Sequence, residues 1–479
     1  MKGDTLNNRR FILDMGWYLM GTLIPMAVGF VKTPIFTRYF TPEEYGYLGI
    51  VSITFSYISI FVYSWLSSCL WRYYNAYKNK GELRSLYSNI FLIYLGATLL
   101  MLVIAAVWYS LVSSVLVRQL IALSFLQVLV KEFIGLFLIV VRLEGKAVKY
   151  NLIHSARAIL GFGVLYGMTF GLHYRITSVL VSTIVVDLLA VVLVLFFSRE
   201  GVGFSINELS KKTLKVLFRF GSIGLVSNFF FLLITSSDRY IIALFEDMGT
   251  VGIYNQVYNI SQLSIVALVT VFFNTINPKL NKELETSFES ADSLISNYLF
   301  AYFLFGLPLI TYLSMFPRQI AHILLGPEFR SGYSIMPWVF VSAYLYGLFL
   351  FIEIKFKFAD KLKQIATGVI LASVLNIAVN FIMIPHYGYQ WAAISTFMAY
   401  ALLVLYFYLQ DRAGFFSSMM YMKRMMLFLI ILGIQVVIDQ WIRSVYYLNI
   451  WQTIMEGMVF LFFYLLVTIR YVKRIRIPV

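Results

Sequence analysis

Apolar residues run through this chain in long blocks, each closed by a short cluster of charged residues, prolines or glycines. Runs of 19 to 28 mostly apolar residues recur from one end to the other, and each is long enough, as a helix, to cross a hydrocarbon core about 30 Å thick. Taking the polar clusters as punctuation gives fourteen spans, at about 11–38, 44–71, 85–108, 119–142, 149–171, 175–198, 214–236, 251–276, 294–316, 333–354, 365–385, 388–409, 425–443 and 449–471. The pattern predicts an all-α polytopic membrane protein. The first run starts like a signal peptide, with Lys2, Arg9 and Arg10, but it is too long for one. It also carries Asp14 and reaches Pro34 and Arg38 without a small-x-small cleavage site, so it is read as a true first helix.

One junction is written twice. RYFTPEEYGYLG at 38–49 separates spans one and two, and RYIIALFEDMGTVGIYN at 239–255 separates spans seven and eight. In the first, Thr41 suits an N-cap, Pro42 the first helical turn, and Glu44 completes a T-x-x-E capping box. Glu246 and Asp247 would serve the second helix in the same way, and Gly46 and Gly252 would let each helix pack closely just inside its start.

The repetition extends beyond the junction. At an offset of 205, Gly16 matches Gly221 and Phe40 matches Phe245; at 208, SLYSNIFLIY (85–94) matches SLISNYLFAY (293–302) at five of ten positions. Each repeat holds six spans, an even number, so the two copies insert in the same orientation. The expected architecture is two parallel six-helix repeats plus two C-terminal helices: a lobe at 1–199, a cytoplasmic linker at 200–213, a second lobe at 214–410 and two further helices in 411–479. Parallel repeats of this kind leave a cavity between two bundles that can rock to face either side.

Composition and charge then narrow the reading. The chain has 479 residues, 60% hydrophobic and 13% charged, which points to lipid as its solvent. Its formal charge of +15 would fit nucleic acid only on a soluble basic face; here the basic residues lie between spans, and no nucleic-acid partner is expected. Lys and Arg divide 28 to 8 between the two sides of the predicted topology, which places both termini in the cytoplasm. The one cysteine, Cys69, lies within span two and supports neither a disulfide framework nor redox chemistry.

The end of span one, TPIFTRYFTPEEYGYLG, and spans seven and eight joined as SDRYIIALFEDMGTVGIYNQVYNI, resemble the polysaccharide flippases of the multidrug/oligosaccharidyl-lipid/polysaccharide (MOP) exporter superfamily, the Wzx-type O-antigen translocases in particular. What recurs there is D-R-x-I-I followed by G-x-Y, here Asp238, Arg239, Ile241, Ile242, Gly252 and Tyr254. The resemblance implies a MATE-like fold and translocation of undecaprenyl-diphosphate-linked oligosaccharide repeat units across the bacterial inner membrane, for O-antigen, capsule or exopolysaccharide. It implies the phospholipid bilayer, a polysaccharide polymerase and a chain-length regulator as partners. Related branches carry drugs or other lipid-linked precursors, and those alternatives stay open.

A diphosphate head group cannot cross hydrocarbon unaided, at a cost on the order of tens of kcal/mol, so a carrier must offer water, cations and polar partners along a shielded path. Charges within spans are the first candidates, because each costs roughly 2.5–3.5 kcal/mol even on a lenient scale. Lys131, Glu132, Arg157 and Asp187 fall at similar depth in spans four to six. Lys131 and Arg157 suit diphosphate contacts and Glu132 or Asp187 ion coupling; the competing reading is internal ion pairing, Arg157 with Asp187 above all. Asp14 and Arg219 are equivalent at the 205 offset and would suit an inner gate, or snorkel to the interface. Lys32, Arg38 and Arg239 lie toward the outer ends of spans one and seven, as receivers of the diphosphate or as interfacial anchors. Asn255, Asn259 and Gln262 form a polar face on span eight, matched by Ser52, Ser56, Ser59, Tyr63 and Ser67 on span two.

A membrane glycosyltransferase or polymerase is the rival class. The four histidines, His154, His173, His322 and His386, are scattered and sit in no catalytic motif, and no cofactor or metal site is expected.

Overall fold

The computed structural model describes residues 21–197, 205–286, 288–410 and 422–472. Each of the fourteen predicted spans is a helix there. They are α1 (Gly21–Phe36), α2 (Pro42–Lys80), α3 (Leu83–Leu111), α4 (Val115–Leu143), α5 (Ala147–Tyr166), α6 (Ser178–Phe197) and α7 (Lys211–Phe245). The second set comprises α8 (Met248–Thr286), α9 (Phe288–Met315), α10 (Met336–Phe358), α11 (Leu362–Tyr387), α12 (Gln390–Gln410), α13 (Met422–Val445) and α14 (Ile450–Val472). Among the described residues, ten segments are long and apolar enough to cross a bilayer. Helices prevail because hydrocarbon offers no partner to a backbone N–H or C=O, which must then be satisfied within its own segment. The protein is an all-α polytopic membrane protein.

Several elements exceed their apolar runs. Helix α2 continues through a π-helical turn at Ile60–Ser64 and on to Lys80, where Gly81 ends it at φ 72°. Helix α8 reaches Thr286, well past the expected end of its span. A short helix, Pro317–Leu324, and a 3-10 stretch, Pro327–Ile335, fill the connection between α9 and α10.

The described chain forms two compact units. The first takes in residues up to 32, 40–243 and 247–252; the second takes in 33–39, 244–246 and the chain from 253 onward. In the first unit, Ile134, Phe137, Leu138 and Val141 of α4 pack on Ala190 and Val194 of α6, with Tyr150 and Ile153 of α5 closing the cluster. Helix α7 lies along α2, where the Tyr57 hydroxyl donates to the Leu232 carbonyl at 3.3 Å and Phe61 meets Phe229 at 5.0 Å between ring centroids. In the second unit, Phe300 and Leu304 of α9 pack on Phe428 and Leu432 of α13 and Tyr464 of α14, whose hydroxyl donates to the Leu304 carbonyl at 2.9 Å.

The repeated junctions meet each other within the first unit. Thr41 accepts from the Glu44 N–H while the Glu44 carboxylate accepts from the Thr41 N–H at 3.0 Å, a complete capping box at the start of α2. Asp247 accepts from the Thr250 N–H at 2.7 Å at the start of α8. The two helix starts then cross at their glycines. A Cβ on Gly46 would lie 1.8 Å from the Met248 carbonyl oxygen, and one on Gly252 would lie 1.8 Å from that of Pro42. Contact this close is open only to glycine, which is the physical reason for its place in both copies.

Candidate functional site

The charged layer expected in spans four to six is present halfway along α4, α5 and α6. Arg157 grips Asp187 through Nη2 at 2.7 Å and Nε at 2.8 Å, both to Oδ1. The Asp187 side chain is 4% exposed and that of Arg157 20%, so the carboxylate is enclosed while the guanidinium keeps one edge open. Glu132 accepts a hydrogen bond from Ser59 of α2 at 2.9 Å, one residue before the π-helical turn begins. Such turns re-aim side chains and are frequent at functional sites.

Lys131 behaves differently from its neighbours. One residue on from the inward-turned Val130, it is exposed and forms no ion pair among the described residues. A lone ammonium at mid-helix is tolerated where it meets water rather than lipid tails. Among the four members of this layer it is the cation left available to a ligand.

The outer-end residues separate. Arg239 is 3% exposed, with Nη1 bound to the Asp238 carboxylate at 2.7 Å and to the Thr235 carbonyl, so it sits in the interior of the first unit rather than at an interface. Arg38, in the second unit, is exposed and joins two helix ends, donating to the Pro34 carbonyl of α1 and, at 3.4 Å, to that of Ile323 in the short helix. Its guanidinium thereby serves carbonyls that the helices cannot satisfy themselves. Beside it the Gly326 N–H donates to the Thr37 hydroxyl at 2.8 Å. Lys32 is half-buried on α1 and makes no ion pair among the described residues.

On α8, Asn255 and Gln262 are half-buried and Asn259 is exposed. The serine face of α2 is divided: Ser56 is exposed, whereas Ser59 reaches Glu132 and the Tyr63 hydroxyl pairs with Thr98 at 2.8 Å. Arg219 is exposed near the start of α7, and Asp14 lies outside the described residues. No group of three or more His, Cys, Asp or Glu side chains is placed to hold a metal ion among the described residues.

Two polar clusters escape the sequence reading. Asn376 and Asn380 of α11 bond to each other at 3.2 Å, and Asn376 reaches Ser395 of α12 at 3.1 Å, all three fully buried. The signal was an Asn-x-x-x-Asn spacing within an apolar span, which sets both amides on one helix face. Arg443 of α13 binds Asp439 at 2.7 Å and Glu456 of α14 at 3.1 Å, fastening the last two helices together. These charges stood in plain view inside spans thirteen and fourteen.

Known proteins share this architecture. The structure of the lipid II flippase MurJ in an inward closed conformation superposes with a TM-score of 0.68 at 16% identity, covering 95% of this chain and 99% of that one. An outward-facing multidrug resistance MATE family transporter of the MOP superfamily gives 0.58 at 16% identity, covering 86% and 94%. At such identities the likeness is one of fold, and it is MATE-like, as the family resemblance implied. A curated relative, the probable low-salt glycan biosynthesis flippase Agl15 of Haloferax volcanii, is 22% identical over 222 residues, 46% of this chain; the match spans about half of that protein, 47% of its length. Residues 12–282, more than half of the chain, match the family described as polysaccharide biosynthesis protein, and the chain belongs to that family.

Proposed function

We propose that the protein is a flippase for lipid-linked glycan precursors, and in particular that it moves undecaprenyl-diphosphate-linked oligosaccharide repeat units from the cytoplasmic to the outer leaflet of a bacterial inner membrane. The observation that carries this reading is Lys131, an exposed cation without an ion-pair partner halfway along an apolar helix of a polysaccharide biosynthesis family member. Lys131 contacts the diphosphate, and Arg157, whose guanidinium keeps an open edge, assists while Asp187 holds it in place. Asn255, Asn259 and Gln262 offer amides to the sugars, and the lipid tail stays in the bilayer. Of the outer-end cations, Lys32 and Arg38 are candidates to receive the diphosphate, whereas Arg239 is closed against Asp238. Glu132 and Asp187 are candidates for ion coupling, and Asp14 with Arg219 for the inner gate.

Transport proceeds by alternating access, with both termini in the cytoplasm. The meeting of Gly46 and Gly252 supports a tight outer closure, because two helix starts in backbone contact leave no room for a sugar between them. The polymer served, whether O-antigen, capsule or exopolysaccharide, follows from the polymerase and chain-length regulator that receive the flipped unit.

Deletion of the gene tests the reading. The expected result is lipid-linked repeat units accumulating on the cytoplasmic face while surface polymer disappears, with restoration by the wild-type gene. Intact surface polymer in a strain with no second carrier overturns it. Turnover of sugar donors by the purified protein would instead favour an enzyme.

A further inference from the structure

A groove of about 700 Å³ lies between α5 and α6 in the first unit, open along its length. Its walls are aliphatic, and Leu152, Leu160, Leu189 and Leu193 are each 51–55% exposed along it. Among the described residues, no amide or hydroxyl side chain lines it. From Lys146 to Leu160 it follows about 14 residues of helix, or roughly 21 Å, somewhat more than one leaflet's half of a core about 30 Å thick.

One end is cationic. Lys146 and Lys149 stand at the mouth, and Arg157 lies deeper on the same helix. Glu144 offsets Lys146 at 2.8 Å and Asp187 offsets Arg157, but Lys149 has no acidic partner among the described residues. Nearby, outside the groove's lining, the Arg142 guanidinium of α4 lies 5.3 Å from the Trp71 ring centroid and 5.7 Å from that of Tyr150. Trp and Tyr beside basic residues mark the level of lipid head groups.

We infer that this groove is a binding site for one anionic glycerophospholipid of the adjacent leaflet, its phosphate held by Lys146 and Lys149 and an acyl chain laid between α5 and α6 toward Leu160. The surplus positive charge selects an anionic head over a zwitterionic one. A glycan-bearing head is disfavoured by the aliphatic walls, which beyond Lys146, Lys149 and Arg157 give a sugar hydroxyl no partner among the described residues. The groove shares Arg157 with the proposed glycan path, but it holds the lipid phosphate on Lys146 and Lys149, which that path does not use. A lipid there would fill the gap between α5 and α6 beside the Arg157–Asp187 pair.

Native mass spectrometry of the full-length protein, equilibrated in mild detergent with equal amounts of phosphatidylglycerol and phosphatidylcholine, tests the site. The expected result is preferential retention of one phosphatidylglycerol. Each lysine near the surface is worth about fivefold in affinity for an anionic lipid, so K146Q/K149Q lowers that preference by about 25-fold. Leu189→Trp, which fills the groove and leaves the lysines intact, removes the bound lipid as well. Equal retention of the two lipids, or an unchanged preference in K146Q/K149Q, overturns the inference. Displacement of phosphatidylglycerol by an equimolar polyprenyl diphosphate overturns it too, since the groove would then belong to the substrate.

Discussion

Gly252→Ala probes the point where the two repeated junctions touch. Its new Cβ would lie 1.8 Å from the Pro42 carbonyl oxygen and 2.9 Å from the Gly46 nitrogen, both backbone atoms that no rotamer change can move. Ordinary contact begins near 3.4 Å, so the starts of α2 and α8 must separate by about 1.6 Å at that atom pair. Overpacking of this kind costs roughly 1–3 kcal/mol. The control is unusually sharp, because Gly96 and Gly161 also lie inside helices and have nothing within 4 Å of a built Cβ. There the same substitution only improves helix propensity, by up to about 1 kcal/mol. Equilibrium unfolding in mixed detergent micelles should therefore show G252A and G46A destabilised while G96A and G161A stay level or gain. If all four variants unfold together, the close crossing of α2 and α8 is not what the glycines serve.

Three other perturbations separate structural from functional roles. Arg157→Gln leaves Asp187 buried without its cation and should cost about 3–5 kcal/mol, whereas R157Q/D187N should recover most of that stability; wild-type transport by the double variant would show that the pair only joins α5 to α6. Asn380→Ala removes the bonds to Asn376 and Ser395 and should destabilise the protein by about 0.6–1.7 kcal/mol, read by the same unfolding assay; no change would mean that the cluster does not fasten α11 to α12. Glu456→Gln should leave one hydrogen bond to Arg443 but weaken the ion cluster, seen as earlier proteolysis of the α13–α14 hairpin than in wild type; an unaltered cleavage pattern would remove that role.

The helices were legible because lipid imposes a length and forbids unsatisfied backbone, so hydropathy and punctuation locate every span, although the helices of spans two, seven and eight run well past the expected ends. What hydropathy misses is helix that leaves the apolar layer, as in α2 beyond Trp71 and α8 beyond about residue 276, and the short helix at Pro317–Leu324. The capping box at Thr41 and the glycines of the two junctions were readable from local chemistry alone. The site was less so. Lipid-facing and protein-facing sides of a span are equally apolar, so periodicity does not fix how a helix is rotated. The sequence places Lys131 and Glu132 at one depth, but only packing shows that Glu132 turns to Ser59 while Lys131 is exposed. Arg239 is similarly ambiguous by position, and its burial against Asp238 depends on how α7 lies in the first unit. The π-helical turn at Ile60–Ser64 left no sequence signal that we can identify.

An exposed Lys131 that receives the diphosphate in transit is the centre of the proposed mechanism. The direct measurement is translocation of a fluorescent polyprenyl-diphosphate oligosaccharide in proteoliposomes, comparing wild type, Lys131→Arg and Lys131→Glu at matched stability. Wild type should transport, Lys131→Arg should keep most of that rate, and Lys131→Glu should lose at least about tenfold. Equal rates for wild type and Lys131→Glu would contradict that mechanism.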